Sequence, residues 1–125
     1  MNVKAVPQGA RRSLSILVVD DDQDSADGIA MLLEHWDHSV HVAYDSDRAL
    51  ELYRERRPDL VLLDVGLPGV DGYALAARLR GEEHRAYLVA LTGYTDRGRA
   101  IEAGFEEHFT KPIDPDALRA LLARM

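Results

Sequence analysis

Short apolar runs alternate along the chain with segments of helical periodicity. The runs at residues 16–19, 60–63 and 88–91 are continuous, without a polar residue at every second position. Continuous runs of this length are typical of parallel strands that helices cover on both faces. Residues 40–42 do alternate, which predicts an edge strand, and residues 109–112 are a weaker candidate for a fifth strand.

The segments between the runs repeat apolar residues at spacings of three and four, the pattern of a helix with one buried face. This spacing predicts five helices, marked in chain order by Ala26, Ile29, Ala30 and Leu33; by Ala49, Leu50 and Tyr53; by Leu75, Ala76 and Leu79; by Ala100, Ile101 and Ala103; and by Leu118, Leu121, Leu122 and Met125. Residues that break or begin helices stand between these segments, at Arg57-Pro58-Asp59, Pro68-Gly69, Gly104 and Asp114-Pro115-Asp116. Five strand-then-helix units predict an α/β fold with a parallel sheet and right-handed crossovers.

Composition agrees with one globular domain. The chain has 125 residues, of which 46% are hydrophobic and 30% charged, enough for one domain with a real core. Its formal net charge of −7 disfavours direct binding to a nucleic-acid backbone. The absence of cysteine excludes disulfides, thiolate zinc sites and thiol nucleophiles.

The ends of the chain carry no sign of a targeting or membrane segment. No apolar stretch approaches the roughly 18 residues needed to cross a bilayer. Residues 1–12 are basic at Lys4, Arg11 and Arg12 but lack the apolar centre of a secretory signal. We therefore expect a cytoplasmic protein with a mobile tail over residues 1–12 and one domain over residues 13–125. Since the last predicted helix runs to Met125, we expect no separate output domain.

The chemically versatile residues stand where the predicted strands end. The first strand is followed by Asp20, Asp21 and Asp22, the third by Asp64 and the fourth by Thr92, while Lys111 lies within or just after the fifth. Ligands of open α/β sheets bind outside the carboxyl ends of the strands. Several carboxylates, one hydroxyl and one ammonium are therefore predicted to meet at one end of the sheet.

This combination suits phosphoryl transfer assisted by a metal ion. Carboxylates held close together repel one another, and a hard divalent cation relieves the repulsion. Mg²⁺ fits a small carboxylate cluster that leaves room for water and phosphate. A carboxylate beside such a metal can attack phosphorus and form an acyl phosphate. Lys111 and Thr92 would then bind the transferred oxygens.

Four motifs in order carry a resemblance to a known family. They are Ile16-Leu17-Val18-Val19-Asp20-Asp21, the segment from Leu62-Leu63-Asp64 to Asp71-Gly72, the Leu91-Thr92-Gly93 turn, and Thr110-Lys111-Pro112. Together they resemble the receiver domain of bacterial two-component response regulators (CheY-like), either stand-alone or excised from a hybrid kinase. The resemblance implies a doubly wound, flavodoxin-like sheet of five parallel strands in the order 2-1-3-4-5.

The resemblance also implies roles for the acidic residues. Asp64 would accept a phosphoryl group from a sensor histidine kinase or a histidine phosphotransfer protein. Asp21 and Asp64 would bind Mg²⁺ directly together with the backbone carbonyl of Gly66, and Asp20 would bind it directly or through water. The chain would then be a phosphoacceptor signalling domain rather than an enzyme, although it would support its own phosphotransfer and autodephosphorylation.

The remaining roles concern the phosphate and the output. Lys111 would contact the phosphate, its peptide bond to Pro112 would be cis, and Thr92 would close onto the phosphate and report its presence. Phosphorylation would switch the affinity for a downstream protein, without direct contact to nucleic acid or membrane, and homodimer formation stays open. A free regulator, a phosphate sink and a hybrid-kinase fragment all fit.

Two departures from the family pattern affect the output. The position three residues before Lys111, where receivers often have Tyr or Phe, is His108, so we do not carry over an aromatic switch. The span from Thr92 to Gly104 is about three residues shorter than the family pattern, close to one helical turn. The helix predicted in that span is therefore short or rearranged, which affects partner choice and dimer geometry.

The same residues allow other interpretations. Asp20–Asp22 alone could be a solvated loop that caps the first helix, and His35, His38 and His41 could be surface histidines or, less favoured, a metal site. The whole chain could be a pseudo-receiver used only for interaction, or a metal-dependent phosphohydrolase with an aspartate nucleophile. Against the hydrolase, Gly66 stands two residues after Asp64, and no substrate cap is encoded.

Overall fold

Five parallel strands form one sheet in the computed structural model, which describes residues 13–65, 71–93 and 104–125. The elements in chain order are β1 (Ser15–Val19), α1 (Gln23–His35), β2 (Ser39–Ala43), α2 (Ser46–Arg56), β3 (Leu60–Asp64), α3 (Gly72–Arg80), β4 (Tyr87–Thr92), β5 (Glu107–Thr110) and α4 (Pro115–Arg124). All neighbouring strands pair in parallel, in the order β2-β1-β3-β4-β5. The predicted fold class and strand order 2-1-3-4-5 are therefore confirmed.

The two faces of the sheet carry separate apolar cores. Successive residues of a strand point to opposite faces, so Leu17 and Val19 pack on the side of α2 and α3. Ile16 and Val18 pack on the other side, against α1 and α4. Because both faces are covered, the central strands β1 and β3 are buried over all residues except Ser15 at the start of β1, which accounts for their continuous apolar sequence.

The predicted edge strand at residues 40–42 is confirmed, whereas the fifth strand lies earlier in the chain than predicted. The alternating residues 40–42 do lie in edge strand β2. The fifth strand begins at Glu107, two residues before the predicted start, and ends at Thr110. Its first two residues, Glu107 and His108, are polar, so the apolar pattern did not reveal them. Lys111 consequently follows the strand directly.

The helices begin at the carboxyl end of the sheet, where aspartates cap them. The side chain of Asp45 accepts a hydrogen bond from the first turn of α2, and Asp71 and Asp114 do the same for α3 and α4. Asp22 occupies the N-cap position of α1 without a side-chain hydrogen bond. At the other end of α2, Arg57 has a φ of 46°, so the chain turns back before Pro58.

Some predictions fall outside the described residues. They are the tail over 1–12, the turn at Pro68-Gly69 and the helix around Ala100, Ile101 and Ala103. None of the helices in the described ranges combines the length and the apolar character needed to span a membrane.

Candidate functional site

Asp20 is a fully buried carboxylate at the end of β1. Its Oδ1 accepts a hydrogen bond from the Asp22 amide at 2.9 Å, while its Oδ2 has no hydrogen-bond partner among the described residues. Burial raises the pKa of the Asp20 carboxyl, and the charge of nearby Asp64 raises it as well. The Asp22 amide, the Ser25 hydroxyl and the Lys111 ammonium act in the opposite direction. Positive charge close to Oδ2, such as that of the Lys111 ammonium, therefore stabilises the ionised form of Asp20.

Asp64 and Lys111 form the central contact of the site. Asp64 is the last residue of β3 and is fully buried. Lys111 Nζ donates a hydrogen bond to Asp64 Oδ2 at 2.5 Å and lies 3.6 Å from Asp20 Oδ2. Burial alone lowers the pKa of Lys111, but the hydrogen bond and charge of Asp64, together with Asp20, outweigh it, so the pKa is raised. One ammonium thus balances two carboxylates that come from different strands.

Backbone hydrogen bonds set the position of Lys111. Its amide donates a hydrogen bond to the Thr92 carbonyl oxygen at 2.9 Å. This bond extends the pairing of β4 with β5, in which Thr92 lies opposite Thr110, the residue before Lys111. The Lys111–Pro112 peptide bond is cis, as expected from the resemblance. The lysine side chain is 31% exposed, so its ammonium can be reached from solvent while it contacts a buried carboxylate.

Thr92 ends β4 at the same edge of the sheet. Its side chain is fully buried, and its hydroxyl oxygen has no hydrogen-bond partner among the described residues. A buried hydroxyl without a partner costs free energy, about 1–3 kcal/mol. Such a group is suited to a ligand that arrives with its own acceptor oxygens.

The other acidic residues are less enclosed. Asp21 is half-buried and Asp22 is exposed. Within residues 13–65, 71–93 and 104–125, no three His, Asp or Glu side chains converge as a group of metal ligands. The structure therefore brings Asp20, Asp64 and Lys111 together, and Gly66 lies outside the described residues.

The donor atoms present fit Mg²⁺. This ion usually takes one or two protein carboxylates and keeps several water molecules, so it does not require three converging acids. Asp20 Oδ2, which accepts no hydrogen bond from the described residues, is a hard oxygen donor, and Asp64 adds a second carboxylate that contacts the same ammonium. The site can therefore accept a small divalent cation through two carboxylates.

A cavity of about 230 Å³ opens beside the site. It lies between α1 and the segment that follows β5, and its lining includes Ser25, Ile29, Lys111 and Ile113. The lining is mostly apolar around the lysine. It offers room for a side chain of another molecule to approach the ammonium.

His35, His38 and His41 do not form a metal site among the described residues. His38 instead accepts a hydrogen bond through Nδ1 from the Leu14 amide at 3.0 Å, at the opposite end of the sheet. Burial lowers the pKa of His38, with the charge of Asp37 opposing this in part. The sequence pattern did not reveal this bond, because Leu14 and His38 meet only once β1 and β2 pair.

The chain matches a known protein family over most of its length. The family model described as "Response regulator receiver domain" matches residues 16–123. The chain is 40% identical over 109 residues to an "uncharacterized 14.6 kDa protein in sodA1 3'region" of Leptolyngbya boryana, which covers 82% of each chain. It is 35% identical over 116 residues to the response regulator MprA of Mycobacterium tuberculosis, covering 90% of this chain and 49% of MprA. It thus spans about half the length of that relative.

A solved structure gives the same result. The signal receiver domain of a response regulator from Bermanella marisrubri aligns with a TM-score of 0.83 at 27% identity, covering 90% of this chain and 98% of that domain. The chain belongs to the response regulator receiver domain family. Members of this family act as phosphoacceptor domains in two-component signalling, generally bind Mg²⁺ at the acidic site, and interact with histidine kinases and effectors.

Proposed function

We propose that this receiver accepts a phosphoryl group on Asp64 from a phosphohistidine of a histidine kinase or histidine phosphotransfer protein. The reaction depends on Mg²⁺, and the phosphorylated form differs in its affinity for a downstream protein. The observation that carries the proposal is the pairing of the buried Asp64 with Lys111 at 2.5 Å, beside the second buried carboxylate of Asp20.

The transfer is a displacement at phosphorus. An oxygen of the Asp64 carboxylate forms a bond to phosphorus while the N–P bond of the phosphohistidine breaks, and the histidine nitrogen keeps the bonding electron pair. Lys111 already contacts this carboxylate, so its ammonium can follow the charge onto the phosphoryl oxygens. The buried Thr92 hydroxyl, which has no acceptor in the described structure, donates to one of these oxygens.

The metal site of the proposal comprises the carboxylates of Asp20, Asp21 and Asp64 and the backbone carbonyl of Gly66. When bound, Mg²⁺ supplies positive charge that offsets the negative charge of the phosphoryl oxygens during transfer. Asp20 and Asp64 are the buried members of this set, so they contribute the enclosed part of the site. Asp21 is half-buried, so its carboxylate contributes the part of the site that water can reach.

The donor approaches through the cavity beside Lys111. Its apolar lining suits the imidazole ring of a phosphohistidine, and the ammonium suits the phosphoryl group that the ring carries. The receiver domain comprises residues 13–125 and acts in the cytoplasm. Hydrolysis of the acyl phosphate by water returns the domain to its unphosphorylated state. Thr92 transmits the phosphorylated state without an aromatic partner at position 108, which is His108.

A small acyl-phosphate donor tests the proposal. The protein is incubated with acetyl phosphate and Mg²⁺, and its intact mass is measured. We expect one phosphate adduct on the wild type and none on Asp64→Asn. Asp59→Asn is the matched control, because Asp59 lies at the opposite end of the sheet, where its carboxylate accepts a bond from the Ser15 amide.

The other two functions predict different outcomes. A pseudo-receiver acquires no adduct under these conditions. A phosphohydrolase releases phosphate steadily from small phosphoesters such as p-nitrophenyl phosphate, without an accumulating adduct. Either outcome contradicts the proposal.

A further inference from the structure

Arg80, the last residue of α3, connects three parts of the chain that are distant in sequence. Its Nε and Nη2 both donate to the Gly104 carbonyl oxygen, at 3.1 and 2.8 Å, and its Nη1 donates to the Ala86 carbonyl oxygen at 3.1 Å. Nη2 also forms an ion pair with the Glu106 carboxylate. The arginine side chain is only 17% exposed, so these bonds hold it against the protein surface.

Glu106 extends this contact into the sheet. Its Oε1 accepts a hydrogen bond from the Leu88 amide at 3.1 Å, and its own amide donates to the Leu88 carbonyl oxygen at 2.9 Å. Glu106 therefore binds the amino end of β4 through its backbone and its side chain. Arg80 completes the contact, because its guanidinium bonds the residues just before β4 and β5 simultaneously.

This contact lies directly before a short strand at the edge of the sheet. β5 has four residues and lies at the edge of the sheet, with β4 as its strand neighbour. The observed register pairs Val89 with Glu107 and Thr92 with Thr110. A slip by one residue would move the strand end by about 3.3 Å and turn each side chain to the other face.

Lys111 depends on this register because it follows β5 directly. Its ammonium is 2.5 Å from Asp64 Oδ2, so a displacement of about 3.3 Å would break the hydrogen bond. The second ion pair on this strand, between Arg124 and Glu107, is weaker as an anchor because the arginine is 58% exposed. The enclosed guanidinium of Arg80 is the stronger constraint.

We propose that Arg80 and Glu106 are positioning residues that hold Lys111 against the phosphoacceptor by fixing the register of β5 on β4. The proposal rests on the function assigned to Asp64 and Lys111 above. It adds a remote pair of residues on which the rate of phosphoryl transfer depends. Neither residue touches the transferred group.

Two variants test the positioning role. Arg80→Met removes the guanidinium and keeps a long side chain. Arg54→Met is the matched control. Arg54, in α2, makes a bidentate ion pair with Glu82, which follows the end of α3, the helix that contains Arg80. The Arg54 side chain is 60% exposed and makes no bond to β4 or β5 in the described structure. Both variants lose one Arg–Glu ion pair, but only Arg80→Met loses the hydrogen bonds and the ion pair to the residues just before β4 and β5.

Two readouts separate positioning from general stability. The first is the rate of adduct formation with acetyl phosphate at saturating Mg²⁺. The second is the NMR signal of the lysine ε-methylene group without Mg²⁺, which is simple to assign because the chain has only two lysines, Lys4 and Lys111. Loss of one signal in Lys111→Arg identifies the relevant resonance.

We expect Arg80→Met to form the adduct about ten- to a hundredfold more slowly, since small misplacements of catalytic groups have effects of this size. Its Lys111 signal should move toward the chemical shift of a lysine in a short unstructured peptide. Arg54→Met should match the wild type in both readouts. A wild-type rate in Arg80→Met, or a slow rate with an unmoved Lys111 signal, would overturn the inference.

Glu106→Gln keeps the inference testable if Arg80→Met does not fold. Glutamine retains an acceptor for the Leu88 amide and loses the charge that pairs with Arg80, so we expect a smaller loss of rate together with a moved Lys111 signal. An unchanged rate and signal would again contradict the positioning role. If the wild type itself acquires no phosphate, the proposed function fails, while the Lys111 signal still decides whether Arg80 positions the lysine.

Discussion

The ammonium of Lys111 lies 2.5 Å from Asp64 Oδ2 and 3.6 Å from Asp20 Oδ2, so one lysine links the ends of β1 and β3 from the end of β5. Two carboxylates that are fully buried would repel each other without a nearby cation. The lysine supplies this charge in the absence of metal. The same residue is then placed to bind the negative charge that a phosphoryl group brings.

Removing the Lys111 ammonium should lower both the stability and the reaction rate. Lys111→Met leaves the two carboxylates without their counter-charge, at a cost of about 1–3 kcal/mol, which is less than for a completely buried pair because the lysine is 31% exposed. Urea unfolding without metal measures this loss. Adduct formation from acetyl phosphate should slow by about a hundredfold or more. Unchanged stability would show that the ion pair does not balance the buried acids.

Magnesium should stabilise the folded protein through the same carboxylates. At about 100 times the dissociation constant, binding to the folded state alone adds about 2.7 kcal/mol. Differential scanning fluorimetry with increasing Mg²⁺ should therefore show a rising melting temperature, and Asp64→Asn should reduce the rise. Asp59→Asn should retain it, because that carboxylate lies at the other end of the sheet. No response in the wild type would argue against a competent metal site.

The Thr92 hydroxyl should be needed by the phosphorylated state and dispensable in the free state. It is buried and has no hydrogen-bond partner among the described residues. Thr92→Val keeps the shape and removes the unpaired hydroxyl, so the free protein should be equally stable or up to about 1 kcal/mol more stable. Urea unfolding tests this, and a time course after removal of acetyl phosphate should show a changed adduct lifetime. A large loss of stability would mean that the hydroxyl already has a partner in the free protein.

His38 should make stability depend on pH. Its Nδ1 accepts a bond from the Leu14 amide and must therefore be unprotonated, and burial lowers its pKa from the usual value of 6.5. Between the unfolded and the folded pKa, the unfolded chain binds more protons, so stability falls as pH drops through 6.5. Urea midpoints between pH 8 and pH 5 should show this fall. His38→Asn, whose Oδ1 can accept the same bond without titrating, should show a smaller one.

The sequence predicted most of the fold because the central strands are buried on both faces. The runs at 16–19, 60–63 and 88–91 have no exposed face and therefore no polar positions to interrupt them. The start of β5 was missed because an edge strand tolerates polar residues such as Glu107 and His108. Local patterns reveal burial on both faces more readily than pairing at an edge.

The convergence of Asp20, Asp64 and Lys111 could be predicted from the sequence, whereas their burial and contacts could not. Asp20, Asp64 and Lys111 were placed together because each ends a predicted strand and parallel strands end at one edge. The resemblance implied a direct metal contact for Asp21 and a direct or water-mediated one for Asp20, whereas in the structure Asp20 is the fully buried carboxylate and Asp21 is only half-buried. Long-range side-chain bonds such as that between Arg80 and Gly104 leave no periodic signal, since they depend on how the elements pack.

The location of the phosphoryl group is the most direct test of the account. Borohydride reduces an acyl phosphate and leaves free carboxylates unchanged, so it marks the phosphorylated residue permanently. After incubation with acetyl phosphate and Mg²⁺, followed by borohydride and peptide mass spectrometry, we expect homoserine at position 64 and unmodified aspartate at positions 20 and 21. Homoserine at another aspartate, or at none, would contradict the assignment of Asp64 as phosphoacceptor.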